Sequence, residues 1–309
     1  MRAVMRRLIV PLALAFVLAS SLLAPGCRSW GNGGYSSDPQ NPDYGTHDWV
    51  ADRALALVTG DKAFLSTMYR ASFLLGTEAP DNPQMIGDAE NHHVYYDSMQ
   101  LVVEDNSARR ARDTFSIAKD LMSDGNLELA AYYAGAMTHY ISDLGVFGHT
   151  MGSNTVWGAE QHHSDYEAEV GSRIFSLGPT PPATISPVDP YNVSLELARK
   201  ITFGSGSIKP NTWMDVHYDW SDPTFVSSAD ASLFASVYAV ASAIQYLVQG
   251  QSGTDQPLDD GSDDGPSPDD DASRSEGIPG TAGVLALVAG AVLTSAIAVV
   301  AYLRKKLGG

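Results

Sequence analysis

The spacing of histidines and carboxylates constrains this chain more than any other feature. Six of its eight histidines lie between His92 and His163. His139 is followed by Asp143, and His163 by Glu167, four residues later in each case. Residues four apart project from the same face of an α-helix, so each pair sets an imidazole beside a carboxylate. The spacing therefore predicts two helices that each present a metal-binding face.

The central part of the chain is predicted to be helical throughout. Apolar residues recur at helical spacing in most segments between residues 46 and 248, and no convincing strand alternation is found. Residues 92–103 are among the predicted helices, and the helix predicted over 63–75 is expected to stop at Gly76. The expected fold class is all-α: a compact bundle of seven or eight helices with long connections.

Residues 1–29 have the layout of a secretory signal peptide. Three arginines within the first seven residues precede an apolar run from residue 8 to about residue 24. An uncleaved anchor helix is the alternative, although the apolar run is short for a membrane span. Two processing sites stay open: lipidation at Cys27, which would anchor the protein, or cleavage after Ser29, which would make Trp30 the new N-terminus.

The C-terminal residues predict a membrane anchor. Residues 281–303 are uniformly apolar and uncharged, and a basic tail, 304–309, follows them. A helix of this length crosses a hydrocarbon core of about 30 Å, and the basic tail is expected to face the cytoplasm. Residues 251–280, rich in Asp, Ser, Gly and Pro, are predicted to be a disordered acidic linker. The sequence thus predicts one domain over 30–250, outside the cell membrane on a single-pass anchor.

Charge and cysteine content narrow the function classes. The formal net charge is −17, which argues against broad nucleic-acid binding, because that binding relies on Lys and Arg to neutralise phosphates. The single cysteine, Cys27, lies before the predicted domain, so no disulfide can stabilise that domain. Its stability is expected to come from packing and from bound metal.

Four segments of the chain, in this order, resemble the zinc-dependent phospholipase C family. They are Thr46-His-Asp-Trp-Val-Ala-Asp-Arg-Ala54, Gly76-Thr-Glu-Ala-Pro-Asp81, the segment from Tyr133 to His149 that includes Thr-His139-Tyr-Ile-Ser-Asp143, and His162-His-Ser-Asp-Tyr-Glu167. Together they cover roughly residues 46–167. The resemblance implies the family's multi-helix bundle and its hydrolytic activity.

The resemblance also implies a cluster of three zinc ions. It assigns Asp81, His93, His139 and Asp143 to the first ion, His149, His163 and Glu167 to the second, and His47, Asp143 and an N-terminal Trp to the third. Trp30 is the candidate for that last ligand. His92 competes with His93 for the first ion, and His93 is preferred because the residues that follow it align better.

The implied chemistry is hydrolysis of a phosphate ester. Clustered zinc ions polarise a phosphoryl oxygen and lower the pKa of water towards 7. The resemblance gives Asp81 the additional role of orienting or deprotonating the attacking water. The expected substrate is a phospholipid or another phosphodiester. Its head group stays unassigned, because Asn82 and Glu90 stand where the best-known bacterial members carry aromatic residues.

Two other functions remain open from the sequence. A zinc-dependent single-strand nuclease would share the metal set, but the pattern Ser164-x-Tyr166-Glu167 and the acidic charge favour the lipase. A non-catalytic, metal-stabilised module that binds envelope components would be consistent with the long linker. An enzyme is favoured over that module, because every ligand position that aligns, except the N-terminal Trp, is filled.

Overall fold

A computed structural model describes residues 44–249 of the chain. Several predictions lie outside this range: the signal peptide (1–29) with Cys27, the candidate ligand Trp30, the linker (251–280), the transmembrane helix (281–303) and the basic tail (304–309).

The described residues are built mainly from helices, as the sequence predicts. In chain order they are α1 (Thr46–Leu57), a π-helical turn (Phe64–Met68), α2 (Arg70–Glu78), α3 (Asn106–Ser123), α4 (Leu127–Asp143), a 3-10 turn (Phe147–Thr150), α5 (His163–Arg173), a second 3-10 turn (Ile174–Ser176), α6 (Pro190–Phe203), α7 (Asn211–Val216) and α8 (Pro223–Gln249). An antiparallel hairpin of β1 (Tyr95–Tyr96) and β2 (Val102–Glu104) lies between α2 and α3. The helical fold class is therefore confirmed in its coarse form.

Helix α4 lies at the centre of the bundle. It packs against α2 and α3 and also contacts α1, α6 and α8. Every residue from 134 to 143 is buried, including the polar side chains of Thr138, His139, Ser142 and Asp143. Buried polar groups require partners. The C-terminal half of α4 is therefore where a polar centre inside the protein has to be built.

Gly76 and Gly135 allow α2 and α4 to cross at close range. A Cβ atom added at Gly76 would lie 2.0 Å from the carbonyl oxygen of Tyr132, and one at Gly135 would lie 2.0 Å from that of Phe73. The prediction that Gly76 ends a helix is wrong, because α2 continues to Glu78. Glycine is needed there for helix packing rather than for a helix C-terminus.

The prediction of a helix over residues 92–103 is also wrong, because this segment leads into the β1–β2 hairpin. Asp97 closes the turn: its Oδ1 accepts the backbone N–H groups of Met99 and Leu101 at 2.8 and 2.9 Å. Gln100 adopts a left-handed conformation with φ of 65°. An aspartate side chain that accepts hydrogen bonds from nearby backbone N–H groups competes with helix formation. The spacing of apolar residues does not reveal that competition.

Helix α8 is a core helix of the described domain. By length and composition it could cross a membrane, but 67% of its apolar window is buried inside the protein. It packs against α1, α4 and α6. The anchor predicted over 281–303 is a separate segment.

Replacing Gly76 by alanine should destabilise the protein by about 1–3 kcal/mol, because the new methyl group would overlap a backbone carbonyl of α4. Denaturant unfolding of the zinc-loaded protein would measure this. The matched control is Gly178→Ala, where no atom lies within 4 Å of the added methyl group. Equal stability of the two variants would contradict the close crossing.

Candidate metal centre

Asp143, the last residue of α4, lies at the middle of a ring of imidazoles. Its Oδ1 lies 3.1 Å from Nε2 of His47 and 3.9 Å from Nε2 of His149. Its Oδ2 lies 2.8 Å from Nδ1 of His92 and 3.1 Å from Nε2 of His139. The side chain is fully buried, and among the described residues neither oxygen has a partner in hydrogen-bond geometry. A buried carboxylate in such surroundings is typical of a metal ligand.

The ligand atoms form three overlapping groups, in each of which all atoms lie within 4.8 Å of one another. The groups are His47 with Asp81 and His139, His92 with His139 and Asp143, and His149 with His163 and Glu167. All donors are imidazole nitrogens or carboxylate oxygens, which suits zinc, and the distances of about 3–4 Å between them are those expected around an ion with bonds of about 2 Å. The residues present therefore fit zinc.

The structure brings together seven of the eight proposed ligands that lie within the described residues. The exception is His93. Its ring centroid lies 5.2 Å from that of His149 and 5.4 Å from that of Tyr95, outside the three groups. His92 occupies the place that was expected for His93, because Nδ1 of His92 faces Asp143. Adjacent side chains diverge where a chain enters a strand, so only one of the two histidines can point at Asp143.

Backbone and hydroxyl groups fix the orientation of two of these histidines. Nδ1 of His139 lies 2.6 Å from the carbonyl oxygen of Thr77, at the close crossing of α2 and α4. Nδ1 of His47 lies 2.8 Å from Oγ of Ser142, whose hydroxyl donates to the carbonyl of His139 at 3.1 Å. Each ring therefore carries its N–H on Nδ1 and directs Nε2 at Asp143, as is usual for metal-binding histidines.

The third group, that of His149, His163 and Glu167, is organised in the same way around His163. Its Nδ1 lies 3.4 Å from Oε1 of Glu160, and its Nε2 lies 3.0 Å from Oε1 of Glu167 and 3.2 Å from Nε2 of His149. A Cβ at position 148 would lie 2.7 Å from the His163 ring. Gly148 is therefore what allows the ring to reach its partners.

A polar network that the sequence did not single out holds His92. The Tyr140 ring meets the His92 ring edge-on, with centroids 5.4 Å apart. The Tyr140 hydroxyl donates to Oδ2 of Asp88 at 2.9 Å, and Arg110 pairs with the same oxygen. Thr77, Ser142 and Glu160 were likewise missed. Thr77, Tyr140 and Ser142 lie within the segments that carry the resemblance, but no role was assigned to them there, because each acquires its role only through a contact made by the fold.

Burial and close charges shift the acid–base behaviour of the cluster. Burial disfavours a charge on Asp143, yet the surrounding imidazoles hold the pKa of its carboxyl well below the usual range. Burial also opposes protonation of His139, but Asp143 and Asp81 outweigh it and raise the pKa of this histidine well above its usual value. For His163, glutamates outweigh burial and raise the pKa to about 10. The raised pKa of each histidine favours a second proton on its ring, on the nitrogen that faces the carboxylates, and an incoming metal competes with that proton.

Comparison with known proteins agrees with this picture. A family model described as zinc dependent phospholipase C matches residues 46–221, which confirms the resemblance found in the sequence. Among solved structures, the chain is similar to the alpha toxin from Clostridium absonum, with 18% identity and a TM-score of 0.51, over 68% of this chain and 66% of that one. It is also similar to the alpha-toxin of Clostridium perfringens avian strain SWCP, with 17% identity and a TM-score of 0.47, over 68% and 65%. Each match thus spans slightly less than two thirds of the toxin chain, and at 18% identity the likeness to the toxin of Clostridium absonum concerns the fold alone. No curated protein matches the chain.

Zinc affinity should rise with pH between about pH 6 and pH 8. His139 and His163 have raised pKa values, which favour a second proton on each ring, so lowering the pH strengthens the competition between protons and the metal. Each proton displaced gives about a tenfold change in affinity per pH unit. Chelator competition at several pH values would measure the affinity, and calorimetry in two buffers would count the protons released. Glu160→Gln should lower the number released, because it removes a partner that raises the pKa of His163. A pH-independent affinity would contradict this account.

His92→Ala should reduce the number of zinc ions bound per chain, whereas His93→Ala should leave it unchanged. Of these two histidines, His92 is the one that faces Asp143. Elemental analysis by mass spectrometry after dialysis would give both numbers. Loss of zinc from the His93 variant alone would show that the sequence preference was correct and the placement of His92 is not.

Proposed function

We propose, from the premise that this chain belongs to the zinc dependent phospholipase C family, that it is a zinc hydrolase which releases phosphorylated head groups from phospholipids. The observation that carries the proposal is the buried Asp143 carboxylate with four imidazoles around it. Structural zinc sites are closed and often rich in cysteine, whereas this centre contains only nitrogen and oxygen donors. Such a donor set supports a catalytic centre.

The proposed metal ligands are the described members of the three groups, together with Trp30 at a processed N-terminus for a third ion. When bound, zinc ions supply Lewis-acid polarisation of a phosphoryl oxygen and a lowered pKa for water. The protein's part is to orient the donors. The carbonyl of Thr77 and the hydroxyl of Ser142 do this for His139 and His47, and Glu160 does it for His163.

Asp81 is the proposed catalytic residue. Its side chain is 10% exposed, against 4% for Glu167 and 0% for Asp143, so Asp81 is the most exposed carboxylate of the cluster. Its Oδ1 lies 3.4 Å from Nδ1 of His92 and 3.6 Å from Nε2 of His139. Burial would raise its pKa, but these histidines outweigh burial and hold the pKa below its usual range. An ionised carboxylate can accept a hydrogen bond from the attacking water and hold its proton.

We further propose that the enzyme is secreted and stays attached to the outer face of a cell membrane through residues 281–303, with lipidation of Cys27 as an alternative anchor. The 30 residues of the linker would give the domain a coil reach of roughly 30 Å, and mutual repulsion of its aspartates would extend it. The domain would then act where phospholipid is locally concentrated.

Asp81→Asn should lower the rate of head-group release by about 10²- to 10⁴-fold, the usual effect of removing a general base. The assay uses the zinc-loaded chain with mixed micelles of phospholipid and, separately, single-stranded DNA, and mass spectrometry detects phosphorylated head groups and nucleotides. Asp113→Asn, an exposed substitution on α3, is the matched control.

Nucleotide release in place of head groups would assign the protein to the single-strand nucleases. If neither product appeared while zinc remained bound, the enzymatic proposal would fail and a metal-stabilised binding module would replace it.

A further inference from the structure

We propose that the tip of the β1–β2 hairpin, residues 98–103, docks into the surface of a phospholipid bilayer and places the metal centre at the head groups. This inference rests on the proposed function and adds the physical partner of the same site. The hairpin tip is defined throughout by these six residues, all of which are exposed.

Four of the six residues of the hairpin tip have exposed apolar side chains. Met99, Leu101, Val102 and Val103 are 72%, 58%, 41% and 60% exposed. Successive side chains of a strand point to opposite faces, so exposure of both valines means that neither face of β2 is covered there. Single exposed apolar residues are ordinary, but four of them within five successive positions are a concentration typical of an interaction surface.

The tip is a preformed turn. The backbone N–H of Asp97 donates to the carbonyl of Leu101 at 2.9 Å, and the N–H of Gln100 donates to the carbonyl of Asp97 at 3.1 Å. Oδ1 of Asp97 accepts two further backbone N–H groups, from Met99 and Leu101. Gln100 has the one positive φ found among the described non-glycine residues. A surface that is already ordered loses less conformational entropy when it binds.

The base of the hairpin is attached to the metal centre. The backbone N–H of Val94 donates to the carbonyl of His149 at 3.2 Å. Two residues further along, in β1, the Tyr96 hydroxyl donates to the carbonyl of Leu195 at 2.8 Å, and Trp157 Nε1 donates to the carbonyl of Tyr96 at 2.7 Å. At about 3.3 Å per residue, the tip lies roughly 15 Å along the strand from Val94. A tip set into a bilayer would therefore hold His149 near the head groups.

A bilayer fits this surface better than a protein partner does. Four aliphatic side chains offer far less area than the roughly 1,200–2,000 Å² buried in a stable protein interface. They do match the apolar anchors by which proteins enter the outer part of a bilayer. Arg199 donates a hydrogen bond to the side chain of Gln100 and so places a cation beside the tip. Although the net charge of the chain is −17, a lipid phosphate would therefore meet a positively charged group at this position.

The first test uses the full chain with Cys27→Ser and Met99→Cys, so that an environment-sensitive fluorophore can be attached at the tip alone. The chain is reconstituted in vesicles of phosphatidylcholine and phosphatidylserine. We expect a blue-shifted emission that lipids with brominated acyl chains quench. Met68→Cys is the matched control, because Met68 is also an exposed methionine, at 60%, and its π-helical turn packs against α1, α2 and α4. We expect little shift or quenching there.

Equal quenching at the two positions, or none at position 99, would overturn the proposal. A blue shift that appears without lipid and grows with protein concentration would assign the tip to a second copy of the chain, and would also overturn it.

The second test separates docking from catalysis. The full chain with Leu101→Asp and Val103→Asp should hydrolyse vesicle phospholipid roughly tenfold more slowly or worse, because charged side chains do not enter the bilayer. Hydrolysis of a soluble short-chain phospholipid should stay unchanged, and the variant with Leu101→Met and Val103→Ile should resemble the wild type on both substrates. Equal loss on both substrates would count against docking. If the wild type hydrolyses neither substrate, the proposed function fails, and the fluorescence result still decides the docking proposal.

Discussion

The burial of one carboxylate, that of Asp143, is the constraint on which the rest of the site depends. Removing an ionised group from water costs several kcal/mol unless other charges or a metal compensate it. Here the compensation comes from imidazoles supplied by α1, by the segment before β1, by α4 itself and by the 3-10 turn after it. Four separate parts of the chain therefore have to meet at the end of α4.

The packing of the helices brings these four parts of the chain together. The glycines at positions 76 and 135 bring α2 close enough to α4 for the Thr77 carbonyl to bond His139. Gly148 does the same for the ring of His163. Glycine is required at these three positions, because a side chain at any of them would push a ligand or its supporting group away. We therefore expect the stability of this protein to depend on bound metal, because an ion would compensate the charges that these packed helices bury.

The β1–β2 hairpin interrupts the helical fold and links the metal centre to the protein surface. The chain leaves the ligand His92, forms a turn whose apolar side chains stay in solvent, and returns at α3. Asp97, by bonding the backbone of the turn, produces the exposed tip, and a hydrogen bond to His149 relates that tip to the metal centre.

The sequence by itself determined the helical class, the family, and the pairs His139 with Asp143 and His163 with Glu167, because side chains four residues apart share a helix face whatever the tertiary structure. It did not determine which of His92 and His93 faces Asp143, that Gly76 lies inside a helix, or that residues 92–103 lead into a hairpin. It also missed the supports provided by Thr77, Ser142 and Glu160. Only the tertiary structure decided these points, because each depends on contacts between segments far apart in the chain or on a turn whose hydrogen bonds outweigh the local apolar pattern.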